Sequence, residues 1–88
     1  MNFPALSAYP ITGSGNVKSS FGQLGGVFVG TATGATLAFY DDAGTGTSTP
    51  LVAPFTVAAG TWYPLPFAFG KGLNVVATGT LTATVAAA

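Results

Sequence analysis

Between Thr80 and Val85 the chain alternates without exception, with Leu81, Ala83 and Val85 on one side and Thr80, Thr82 and Thr84 on the other. A period of two puts successive side chains on opposite faces of an extended strand, and threonine, β-branched and polar, suits a wetted sheet face. The same period recurs upstream. Leu37 and Phe39 alternate with Thr36, Ala38 and Tyr40; Val27 and Val29 with Phe28, Gly30 and Ala32; Leu73, Val75 and Ala77 with Asn74, Val76 and Thr78. Residues 51–58 put Leu51, Ala53, Phe55 and Val57 on one side, and residues 16–20 make a further short strand. Glycines punctuate these runs: Gly22, Gly25 and Gly26 loosen one junction, Gly34 turns, and Gly79 breaks. No segment has a helical period. The pattern predicts an all-β domain over residues 11–88, a small antiparallel β-sandwich or jelly-roll-like barrel of seven to eight short strands. Residues 1–10 have no period and two prolines. They read as an irregular arm, either a frayed terminus or a segment that packs on a neighbouring subunit through Phe3 and Tyr9.

Residues 61–81 carry the only tryptophan and one of the two lysines. They read as a strand, a Gly70-Lys71-Gly72 turn, a second strand and a corner at Gly79. Pro64 and Pro66 stand two apart, so both remove backbone donors from the same lateral edge of their strand. That predicts an edge strand whose open side is blunted against further pairing. Pro54 marks residues 51–58 as another edge. Trp62 and Tyr40 fall on faces opposite Tyr63 and Phe39. Each is a candidate for a sugar-stacking platform, a subunit contact or a second buried layer.

A chain of 88 residues buries roughly 60 % of its unfolded surface, which is marginal for a lone domain. There is no cysteine to staple it, and without histidine a zinc or copper site is not expected. Small size without staples favours an oligomer. Lys18, Lys71, Asp41 and Asp42 are the only charged side chains, 5 % of the residues where an ordinary soluble domain has about 25 %. Two cations give a phosphate backbone nothing to bind, so no nucleic-acid partner is expected. The N-terminus has neither the basic residues nor the apolar run of a signal peptide, and no run of about 18 apolar residues suggests a membrane-spanning helix.

The parts for catalysis are thin. Ser19 or Ser20 with Lys18 is a nominal Ser–Lys pair, but adjacent strand positions face opposite ways and nothing orients them. Asp41-Asp42 lacks the alternating acids and terminal glutamate of a calcium loop, and fits a turn-initiating pair better. Gly70-Lys71-Gly72 lacks the spacer and following Ser/Thr of a phosphate loop. The loop over residues 41–50 is long for a compact domain, a length that often signals function or mobility. No enzyme activity and no cofactor are expected.

From Ile11 onward, the segments Ile-Thr-Gly-Ser-Gly-Asn-Val-Lys-Ser-Ser, Gly-Gly-Val-Phe-Val, Ala-Thr-Leu-Ala-Phe-Tyr-Asp and Phe-Gly-Lys-Gly-Leu-Asn-Val-Val-Ala-Thr-Gly-Thr-Leu-Thr-Ala-Thr-Val resemble small virion proteins of tailed bacteriophages. These are compact β-sandwiches that serve as capsid cement, decoration or head-fibre modules. The resemblance implies a trimer made in the bacterial cytoplasm and seated on the outer capsid surface, with the major capsid protein as partner. The contacts expected from the residues are Phe3, Tyr9, Tyr40, Trp62, Pro64, Pro66 and Lys71. A receptor- or glycan-binding fibre module, using Trp62, Tyr40 and the loop 41–50, is the alternative.

Overall fold

The computed structural model describes residues 6–88, which form one antiparallel sheet of six strands with no helix among them. In chain order these are β1 (Ser7–Ile11), β2 (Gly15–Lys18), β3 (Gly22–Tyr40), β4 (Pro50–Thr56), β5 (Thr61–Phe69) and β6 (Leu73–Ala87). The all-β antiparallel expectation holds. The strand count does not: β3 and β6 run for 19 and 15 residues, straight through glycines that read as breaks.

These two long strands pair along their whole length, and the other four flank them in two groups. The first half of β3 has β5 on its far side, and the second half of β6, which it pairs, has β1. The second half of β3 has β4 outside, and the first half of β6 has β2. Side chains from both halves, including Leu24, Val27 and Val85 from one and Leu37, Phe39 and Val75 from the other, belong to a single hydrophobic core. The face carrying them is the inner face; the opposite face is the outer one.

The register between β3 and β6 explains how strands this long can bend over one core. Along β6 every inner residue is odd-numbered: Leu73, Val75, Leu81, Ala83, Val85 and Ala87 are all buried. Along β3 the inner set changes parity three times, from Leu24 to Val27 and Val29, then Ala32, then Ala35, Leu37 and Phe39. Each change coincides with a shift in register, between Leu24 and Gly26, between Val29 and Thr31, and between Thr33 and Thr36. Residues 24–40 of β3, 17 positions, thus lie against residues 74–87 of β6, 14 positions, so three bulges absorb the difference (17 − 14 = 3). An extra residue bends its strand and increases local twist, and each of these bulges contains a glycine.

Two sequence readings change in consequence. Gly22, Gly25 and Gly26 lie inside β3, and Ala32 joins the inner face rather than that of Phe28. At the third bulge Gly34 and Gly79 face each other, with φ of 57° and 75°. A side chain on Gly79 would run into the Gly34 carbonyl and come within 2.9 Å of the Ala35 Cα, whereas one on Gly34 would meet nothing within 4 Å.

The flanking strands bring further corrections. Residues 7–10 are not an irregular arm; they belong to β1, which pairs with residues 83–87 of β6, Ser7 opposite Ala87 and Pro10 opposite Thr84. Pro10 is tolerated because β1 pairs on one side only, and Tyr9 packs half-buried against the core. In β4 the register slips around Pro54, so Val52, opposite Phe39, and Phe55, opposite Leu37, face inward together, while Ala53 is exposed. The residue Phe3 lies outside the described residues.

Gly34→Ala meets only the left-handed φ and should cost about 1 kcal/mol. Gly79→Ala adds a backbone collision at the bend, and its loss should be at least twice as large in urea denaturation. Equal losses would mean that the bulge relaxes and does not fix the bend.

Candidate functional site

Two surfaces combine functional side chains, and they lie in different parts of the sheet. The first is the edge and outer face around β5. This strand pairs with β3 alone, as the two prolines predict. Gln23 and Ala88 exchange backbone hydrogen bonds of 2.8 Å, which turns the N–H groups of Gly22 and Leu24 toward β5. Their partners Phe69 and Phe67 then donate inward, so Pro66 falls on the open side. Pro64 stands opposite Gly26.

On the outer face Trp62 is the cross-strand partner of Phe28, and both are 46 % exposed. The Trp62 ring lies over Gly26, where an added Cβ would come within 2.7 Å of its Cζ2 and Cη2. The Tyr63 carbonyl is nearer still, at 2.5 Å, so glycine is required at position 26 by the backbone of β5 as well as by the indole. Thr84 and Pro10 continue this row across β6 and β1, since Phe28 pairs with Thr84 and Thr84 with Pro10. Beyond them Thr31 and Thr82 share a 2.7 Å hydrogen bond between hydroxyls, and Thr36 and Thr78 another. Cross-strand threonine pairs of this kind stabilise a polar sheet face without charge. On the inner side, the Tyr63 ring meets Phe55 edge to face at 5.3 Å, and its hydroxyl accepts the Ala58 N–H at 2.8 Å. Tyr63 thereby ties β5 to β4.

The second surface gathers the four charged residues around the turn between β5 and β6. Asp41 Oδ2 accepts the Gly70 N–H at 3.0 Å, and Oδ1 accepts those of Lys71 and Gly72 at 2.8 and 3.3 Å. Three successive N–H groups make an anion-binding concavity, and the chain fills it with its own carboxylate. The Gly70 and Lys71 N–H groups hold the Asp41 pKa below its ordinary 3.8, with smaller help from Gly72 and the Lys71 charge. Asp42 Oδ1 accepts the N–H groups of Gly44 and Gly46 at 2.7 and 3.1 Å. The turn-initiating reading fits Asp42, while Asp41 organises a turn 29 to 31 residues away.

The long loop is fastened to the outer face of the second half. Asp41 N–H donates to the Thr49 carbonyl at 2.8 Å and closes its base. Asn16 donates to the carbonyls of Asp42 and Gly44, and Asn74, only 2 % exposed, donates to that of Gly46. Asn74 sits on the face that alternation marks as polar, yet it is buried because the loop covers it. The loop is thus a packed cover (its length reflects what it spans).

The expected contact residues therefore divide. Trp62, Pro64 and Pro66 share one strand and are exposed. Lys71 is exposed in the charged turn, and Tyr40, half-buried opposite Asn74 and Pro50, belongs with the loop. Trp62 and Tyr40 lie in different halves of the sheet and do not form one platform. Phe28 was missed in the sequence because its position opposite Trp62 depends on pairing between distant strands. No family model matches the chain, and neither does any curated protein or solved structure.

Two outcomes follow. Replacing Pro64 and Pro66 with threonine restores an edge able to pair, so light scattering should show aggregation increasing more than thermal stability falls; unchanged solubility would remove the blunting role. For Asp41, a depressed pKa stabilises the fold above the unfolded carboxylate value near 4, and that contribution disappears as pH falls through the lower folded value. Asp41→Asn should lower the melting temperature at pH 7 and flatten its fall below pH 4. A variant with the wild-type acid profile would exclude Asp41 from that transition.

Proposed function

We propose that this chain is a structural subunit of a phage virion, a capsid cement or decoration protein that binds the outer shell through apolar contacts. The observation that carries this reading is β5: an edge strand closed to pairing by proline and uncharged from Thr61 to Phe69, with Trp62 exposed on the outer face and Phe67 exposed on the opposite one. A surface of this kind favours docking of a shaped apolar neighbour over open-ended strand addition. The partner in this reading is the major capsid protein, and the subunit acts as a trimer bridging neighbouring shell subunits. The resemblance of its strand and turn segments to small virion proteins supports the same assignment. So does the scarcity of charge, since surface covered on assembly does not need ionic groups for solubility.

Burial of apolar area at about 25 cal/mol per Å² would drive such docking, less the cost of association. A tryptophan at the centre of such a contact contributes about 2 kcal/mol or more. The test is co-sedimentation of the purified chain with the phage heads, together with sedimentation equilibrium of the free protein. Trp62→Ala should weaken binding to the heads by roughly 30-fold while leaving the melting temperature near that of the parent. A stable monomer that never sediments with particles would rule the proposal out.

A further inference from the structure

Beside the aromatic pair, on the β6 and β1 side, the outer face holds a shallow groove of about 330 Å³. It runs over Gly30, where the missing side chain leaves the floor open, and is bounded by Phe28, Thr82, Thr84, Pro10 and Thr12. We infer that this groove binds a neutral saccharide, with one sugar ring packed on Phe28 and its hydroxyls meeting those of the threonines. This inference does not rest on the virion reading.

Three features select this ligand over other occupants. First, Phe28 presents an exposed ring as one wall. The face of an aromatic ring is electron-rich and attracts the weakly positive C–H bonds along the apolar face of a pyranose. Second, Thr12, Thr82 and Thr84 bring hydroxyls to a boundary that also holds the apolar Pro10, Ile11 and Ala83, and hydroxyls both donate and accept, as those of a sugar do. The Thr31–Thr82 hydrogen bond holds the Thr82 hydroxyl in place before any ligand arrives. Third, no charged side chain lines the groove among the described residues. Asp41 is hydrogen-bonded to the Gly70–Gly72 turn, and a Cβ on Gly72 would touch both the Asp42 and Lys18 carbonyls at 2.6 Å. The four ionic residues thus surround that turn, away from Gly30, and leave an anionic or cationic ligand no counter-charge in the groove. A volume near 330 Å³ falls in the range of small-molecule sites, about 300–1,000 Å³.

Gly30 provides a clean test. Its φ is not positive, and an added Cβ would meet only Thr82 atoms at 3.5 Å, an ordinary contact. The backbone therefore has room for the Cβ of Gly30→Val, and its methyls should fill the groove. The experiment titrates the full chain with cellotriose, maltotriose, chitotriose and mannotriose, followed by amide chemical shifts and Trp62 fluorescence. At least one sugar should give saturable shifts centred on Phe28, Gly30, Thr82 and Thr84. Gly30→Val and Phe28→Ala should each weaken it at least tenfold without altering the thermal melt. Thr84→Val, which keeps the shape and removes one hydroxyl, should weaken it several-fold. Should Gly30→Val fail to fold, Phe28→Ala and Thr84→Val still decide the matter. Silence with all four sugars at high millimolar concentration would overturn the inference. So would undiminished binding in Thr84→Val, which marks a purely apolar site, or shifts in the groove that depend only on protein concentration, which mark a second copy of this chain as its occupant.

Discussion

The ladder between β3 and β6 is the constraint on which the rest of the molecule depends. One strand keeps strict parity from Leu73 to Ala87, and the other must take three extra residues to stay in contact with it. A strand with more residues over the same ladder has to bulge, and bulges concentrate twist and bending. The bending lets one sheet bury Leu24 and Val85 in the same core as Phe39 and Val75. Glycine is required where two backbones crowd at the last bulge, because Gly79 lies against the Gly34 carbonyl. The bend is therefore encoded mainly in one strand of the pair, and β6 serves as its ruler.

The bulges also shape the outer surface. Had β3 kept one parity, Ala32 would stand beside Phe28 and Gly30 on the outer face. The extra residue at Gly30 sends Ala32 inward and brings Thr31 to its hydrogen bond with Thr82. The open floor beside Phe28 and the adjoining threonine ladder are thus products of one register shift. In the second half, the outer face of the same two strands is closed by the loop 41–49, which Asn16 and Asn74 hold by its carbonyls. Burying Asn74 is acceptable because its amide donates to Gly46, and the loop's own carbonyls need donors.

Local pattern was legible in the sequence, and long-range placement was not. The alternation of residues 80–85 and 35–40 assigns their inner and outer faces correctly, and the prolines of β5 mark it as an edge. Glycine marked the turns at Gly60 and Gly70-Lys71-Gly72 correctly and misled inside the long strands, where Gly25, Gly34 and Gly79 interrupt parity or direction without ending a strand. Pro54 misled in the same way: it signalled an edge correctly but concealed the bulge that exchanges Ala53 for Val52. Asp41 could be read only against its immediate neighbours, whereas its partners lie across the sheet at Gly70, Lys71 and Gly72. Alternation places Phe28 on the face opposite Val27 and Val29, and Trp62 on the face opposite Tyr63. Their juxtaposition requires the β3–β5 register, which no short-range signal in either strand specifies.

The positions of the prolines and charges bear on why such a neutral surface is tolerated. Sheet edges are commonly protected by lysine, by proline or by short strands. With two lysines in the chain, one of them Lys18 at the end of the four-residue edge strand β2, this protein relies mainly on proline: Pro10 in β1, Pro50 and Pro54 in β4, and Pro64 and Pro66 in β5. Proline blocks a hydrogen-bonding edge without adding charge, so it leaves the adjoining face apolar. Lysine at the same positions would protect the edge and also surround Phe28 and Trp62 with cations. Pairing and face recognition are therefore controlled separately. The edges are closed by missing donors, and the outer face keeps its aromatics and hydroxyls exposed.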